Sequence, residues 1–174
     1  MSPQQAKGMS PQEARTIGNF LCADLQQEIA TTVRVIGAVP ADNLSYAPDA
    51  KSKSALALVR HLVIDDAWFL NSIADGVFAG GNNDQSDACG IMTPADGVAK
   101  YQSLVGAGLA RVRGLSDAKL AEEIDFFGMV KLPAVTLLAL MIKHSVHHRG
   151  QLSTYLRAMG GKVPGIYGPS GDTQ

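Results

Sequence analysis

A chain of 174 residues with 46% apolar residues can close one hydrophobic core, which argues against wholesale disorder. A formal net charge of -1 and 6% aromatic residues exclude the basic, base-stacking surface of a nucleic-acid binder, and nothing draws the chain to an anionic membrane. Two cysteines, Cys22 and Cys89, without CxxC spacing, argue against a disulfide scaffold or a thiolate zinc site.

The N-terminus carries Met-Ser-Pro-Gln twice and has no apolar core, so residues 1–9 read as a loose tail rather than a signal peptide. Ser10-Pro11-Gln12-Glu13 is a helix start, with Ser as N-cap, Pro at the first helical position and Glu three residues on. The first helix is predicted from about Pro11 to Val39, with Ile17, Phe20, Leu21, Leu25, Ile29 and Val33 as its apolar stripe. After a connection through Pro40, a second helix is predicted from about Ser54 to Phe78. The Gly/Asn/Asp-rich stretch Gly80 to Gly90 ends it. Thr93-Pro94 opens a third helix that reaches about Val112, and Ser116 caps a short one through Ile124. DFFGMVKLP is a turn or a short hairpin-like excursion. A fourth long helix is predicted from about Ala134 to Met159, stopped by Gly160-Gly161. Residues 161–174 form an extended Gly/Pro-rich tail.

Four long helices, a short extra one and no convincing strand predict an all-α bundle in a single domain over residues 1–174. The longest apolar stretch, Leu132 to Ile142, is too short for a membrane span, which needs ~20 apolar residues. A cytoplasmic protein is expected.

Three of the four histidines sit within the nine residues of HSVHHRGQL, His144 to Leu152. On a helix, His144 and His148 share a stripe with Leu137, Met141, Gln151 and Tyr155, while His147 falls at its edge and reads as a rim residue. Histidines four residues apart can turn two ring nitrogens to one metal. The remaining histidine, His61, lies on the apolar stripe of the second helix with Leu58, Ile64, Asp65 and Trp68. A lone helical histidine on such a face is more often a core residue. Four histidines on two core-facing stripes are better explained by one shared site, because buried imidazoles all need partners.

His61, His144 and His148 would supply three nitrogens and leave a fourth position open, as in catalytic zinc sites. Asp65 either orients His61 or takes a ligand position itself, which would favour iron, nickel or manganese. Arg149, off the stripe, reads as a structural partner of a carboxylate or of helix carbonyls. There is no HExxH, GxSxG or phosphate-binding glycine loop.

HxxxHRGQL (His144 to Leu152), YLRAMGGKVPGIYGPSGD (Tyr155 to Asp172) and HLVxxDxWFL (His61 to Leu70) together resemble the DinB-like, DNA-damage-inducible family. The resemblance covers most of the chain. It implies a four-helix bundle with an unusual connection order, a divalent metal on His61, His144 and His148, and a homodimer. Some relatives are S-transferases or isomerases that use a low-molecular-weight thiol.

The function expected is therefore a divalent-metal-dependent enzyme, with zinc, nickel or iron at the site. It would act as a hydrolase or thiol-dependent S-transferase on a small-molecule substrate, with Asp65, Gln151 or Tyr155 orienting substrate or water. The alternative is a non-catalytic, stress-related helical dimer or binding protein in which the histidines are structural or vestigial.

Overall fold

The computed structural model describes residues 8–80 and 86–173. The first Met-Ser-Pro-Gln copy, most of the expected N-terminal tail, residues 81–85 of the Gly/Asn/Asp-rich loop and Gln174 lie outside them.

The chain is mostly helical. Helix α1 spans Pro11–Gly37, and its start is the expected capping box: Ser10 accepts from the Glu13 N–H while Glu13 accepts from the Ser10 N–H. It stops short of Val39 because Pro40 disfavours helical geometry in the residue before it. Its buried face is Ala14, Gly18, Cys22, Leu25, Ile29 and Thr32, whereas Ile17 and Phe20 of the predicted stripe are exposed. The inward face is built from small residues here. A Cβ on Gly18 would meet the Leu120 side chain at 3.2 Å, tighter than ordinary contact.

Helix α2, Ala55–Asp75, is capped by Ser54 and closed before Phe78 by Gly76 in the left-handed conformation. Past a single 3₁₀ turn at Asp87–Cys89, the predicted third helix runs as α3 (Pro94–Lys100), a π-helical turn (Tyr101–Val105) and α4 (Gly106–Arg113). Thr93 caps it and shares a capping box with Asp96. Helix α5, Asp117–Ala121, ends before Ile124 because Ile124 belongs to a strand.

The expectation of no convincing strand is corrected, while the hairpin-like excursion read in DFFGMVKLP is present. Strands β1 (Glu123–Phe126) and β2 (Val130–Pro133) pair antiparallel, with Ile124 opposite Leu132 and Phe126 opposite Val130. Phe127 and Gly128 both have positive φ, the backbone that lets a tight turn match the twist of its strands. Strands this short carry too little alternation to register as strands in the sequence. Helix α6, Ala134–Ala158, follows directly. The C-terminal segment is irregular, but it folds back rather than extending: Asp172 accepts from the Val163 N–H at 2.9 Å and from Arg157 at 3.0 Å.

Helix α6 packs against both α1 and α2, and the α3–α4 rod packs against α2. Leu25, Ile36, Leu62, Leu70, Leu137 and Leu156 are all at 0% exposure between them. Each contributes ~1.5–3 kcal/mol by leaving water. On its α1 side α6 is tied by Arg149, 1% exposed and ion-paired with Glu28, the carboxylate role read from its position.

Close approach of α4 to α2 requires Gly108, where a Cβ would lie 2.8 Å from Leu70 Cβ. Gly150 of α6 has nothing within 4 Å. Gly108→Ala is expected to cost ~1–3 kcal/mol in urea unfolding. Gly150→Ala is expected to stabilise by up to ~1 kcal/mol, because it removes unfolded-chain freedom from a helix interior. Equal stability of Gly108→Ala and the parent would contradict the contact.

Candidate metal centre

Helix α2 carries His61 and Asp65 one turn apart, and α6 carries His144 and His148 one turn apart. Packing α2 on α6 brings the three imidazoles together. One ring nitrogen from each lies within 4.8 Å of the others, a set that could hold a metal ion. The rings meet edge to face, with centroids 4.3 Å apart for His61 and His148 and 4.5 Å for His144 and His148.

The partners of the outer nitrogens decide what faces inward. His61 Nδ1 lies 3.0 Å from Asp65 Oδ2, and His148 Nδ1 lies 2.7 Å from Gln151 Oε1. With a proton on each Nδ1, both inner Nε2 atoms carry lone pairs. Those two atoms are 3.0 Å apart. Two lone pairs so placed repel unless a cation sits between them. Burial foremost, and the neighbouring imidazoles behind it, push the His148 pKa down to about 4, so a shared proton is disfavoured at neutral pH. Two nitrogens bound to one tetrahedral ion at ~2.0–2.1 Å would sit roughly 3.3 Å apart, close to the spacing found.

His144 is held more loosely. Its Nδ1 lies 3.5 Å from Asp66 Oδ1 and its Nε2 lies 3.7 Å from Asp65 Oδ2. Among the described residues, the buried side-chain atoms left without a hydrogen bond are His144 Nδ1, Asp66 Oδ1 and Asp65 Oδ1, and all three are here. Each such atom costs ~1–3 kcal/mol. Closing the His144–Asp66 gap would satisfy two of them and leave Nε2 for the centre. The residues therefore fit a divalent ion.

Asp66 is the fixed Asp of the HLVxxDxWFL stretch, although the sequence reading gave it no role in the site. It is at 0% exposure and accepts from the Tyr101 hydroxyl at 2.8 Å; that hydroxyl lies 3.1 Å from Ser145 Oγ. Tyr101 sits at the start of the π-helical turn. Burial, then the Asp66 charge, raise its pKa well above the usual value, so it stays a proton donor.

Of the other residues predicted for the site, Asp65 and Gln151 back His61 and His148 as described. Tyr155 is buried, and its hydroxyl donates to the Lys53 carbonyl at 3.2 Å. It walls a cavity that also touches His148 and Gln151. His147 is exposed at the rim, with its ring 4.8 Å from that of His148. On the other flank, Phe69 stands 6.4 Å from His144, part of an aromatic cluster in which Trp68 stacks on Phe127 of the hairpin.

The DinB family profile matches residues 14–173. The Bacillus subtilis protein YjoA is 32% identical over 122 residues, 68% of this chain and 75% of YjoA. The Bacillus subtilis protein YrdA is 46% identical over 55 residues, a match spanning only 32% of YrdA's length. In three dimensions, the crystal structure of YjoA, a DinB-like protein, superposes with a TM-score of 0.67 at 25% identity, covering 86% of this chain and 97% of YjoA. A DinB-like protein from Bacillus cereus shares the fold with a TM-score of 0.72 at 22% identity, over 84% of this chain and 95% of that one.

Tyr101→Phe removes the donor to a fully buried carboxylate. It is expected to destabilise the protein by ~1–3 kcal/mol in urea unfolding. An unchanged midpoint would show that Asp66 does not depend on Tyr101.

Proposed function

The chain belongs to the DinB family, and from that premise we propose that it is a metal-dependent enzyme with a divalent ion held by His61, His144 and His148. The observation that carries this reading is the 3.0 Å convergence of the His61 and His148 Nε2 atoms while their Nδ1 atoms face Asp65 and Gln151. Three neutral imidazoles suit zinc, nickel or iron. An ion so held lowers the pKa of a bound water or thiol and polarises a carbonyl.

The chain's own groups do the rest. Asp65 and Gln151 fix the ring orientations of His61 and His148, and Asp66, 3.5 Å from His144 Nδ1, is placed to orient His144 when that gap closes. Asp65 keeps Oδ1 unpaired beside the cluster, and that oxygen is the site's proton acceptor. Gln151 spends its carbonyl oxygen on His148 and keeps its NH₂ for a substrate, while Tyr155 walls the approach. The reaction is hydrolysis of a small molecule or transfer of a low-molecular-weight thiol to an electrophile.

In the same reading, α1, α2, the α3–α4 rod and α6 are the four members of a helical bundle, and the protein works as a cytoplasmic homodimer. Among the described residues, no helix is long and apolar enough to cross a membrane.

Protein purified without a histidine tag is expected to hold about one divalent ion per chain by elemental analysis. His61→Ala and His144→Ala are each expected to abolish it; full metal content in both variants overturns the reading. Asp66→Asn is expected to weaken zinc binding about 10–100-fold in a chelator competition titration, and unaltered affinity would remove Asp66 from the site.

A further inference from the structure

Beside the histidine cluster lies a cavity of about 250 Å³. Lys51, Ser52 and Lys53 of the α1–α2 connection form one wall, and His148, Gln151 and Tyr155 of α6 form the other. Its size, just under the ~300–1,000 Å³ of typical ligand pockets, suits a small molecule or one end of a larger one.

The lining is chemically one-sided. Among the described residues, no carboxylate lines it. Two lysines bring ammonium groups, which can only donate. Gln151 has its oxygen engaged by His148 Nδ1 at 2.7 Å, which leaves the NH₂ as the end it can offer a ligand. The lining's two hydroxyl protons are used to hold the lysine loop: Ser52 Oγ donates to Asp49 Oδ2 at 2.7 Å, and Tyr155 donates to the Lys53 carbonyl at 3.2 Å. Asp49 also accepts from the backbone N–H of Lys51 at 2.8 Å and of Ser52 at 3.1 Å. The backbone carrying both lysines is thus fixed from two sides before any ligand arrives, which lowers the ordering cost of binding.

We infer that this cavity is a subsite for the anionic oxygen group, carboxylate or phosphate, of a small substrate or co-substrate, with Lys51, Lys53 and the Gln151 amide as donors. The anion's purpose rests on the metal-enzyme reading above; its binding does not. A molecule held here by its charged end reaches the cluster along His148, so its reactive group is delivered to the three nitrogens.

The test uses the full chain, stripped with a chelator, and reads backbone amide shifts by NMR as succinate is added. Succinate is expected to move the amides of Lys51, Ser52, Lys53 and Gln151 saturably, while the neutral isostere succinamide does not. The Lys51→Gln/Lys53→Gln double variant is expected to bind succinate about tenfold more weakly, since charge-assisted donors are lost. A stronger response to inorganic phosphate assigns a phosphoryl rather than a carboxyl group to the same subsite. Equal binding by the double variant, equal binding of succinamide, or shifts confined to other surfaces overturns the inference. Zinc binding is measured in parallel. A chain that binds succinate here but no metal upholds the subsite and removes the metal reading. A chain that binds succinate only when zinc-loaded overturns the subsite and leaves the metal reading standing.

Discussion

Two imidazole nitrogens facing each other at 3.0 Å, each backed by an acceptor on its far side, is the constraint on which the rest of the molecule turns. The contact exists only if α2 and α6 keep one register. A shift of one residue along either helix would swing His61 or the His144–His148 pair through ~100° and disperse the cluster. The surrounding structure fixes that register. The α3–α4 rod lies against α2 at a glycine contact, and α6 is tied on its other flank by the buried Arg149–Glu28 pair. Helix α6 therefore faces two ways, with imidazoles toward α2 and a guanidinium toward α1.

The local cost is high and concentrated. Asp66 is fully buried, and the orphaned polar atoms among the described residues sit within this one cluster. Folds place such deficits at functional sites and stabilise them from elsewhere. Here the compensation comes from the leucine-rich core and from Tyr101. The charges also fit: the two negative charges of Asp65 and Asp66, set among three imidazoles, balance one divalent cation.

Much of this was legible in the sequence, for identifiable reasons. Four-residue spacing on a helix is a direct statement about direction, so His144 with His148 and His61 with Asp65 could be paired before any fold was known. Ser10 and Thr93 announced their helices through side chains that satisfy their own backbone. The role of Asp66 was not legible because its partner Tyr101 sits on a π-helical turn, which shifts helical phase without a mark in the hydrophobic period. Leu25 and Ile29 of the α1 stripe are buried as expected, but Ile17 and Phe20 were misjudged because the contacts near them depend on small residues, Gly18 and Cys22. DFFGMVKLP was legible as hairpin-like, but not its strands or its turn, which depends on Phe127 adopting a left-handed backbone that its residue type does not advertise. The lysine wall of the cavity lies on a connection, where no periodicity links Lys51 and Lys53 to Gln151 and Tyr155 a hundred residues on.

The cluster is flanked by the donor-lined cavity on its His148 side and by the aromatic cluster of Phe69, Trp68 and Phe127 on its His144 side. The metal-enzyme reading presupposes that the three histidines bind one ion through nitrogen. X-ray absorption at the zinc edge of stripped and reconstituted protein tests that most directly. About three imidazole nitrogens at ~2.0–2.1 Å, with the outer-shell scattering of imidazole rings, is the predicted result. A first shell of sulfur, or of oxygen without imidazole scattering, would contradict it.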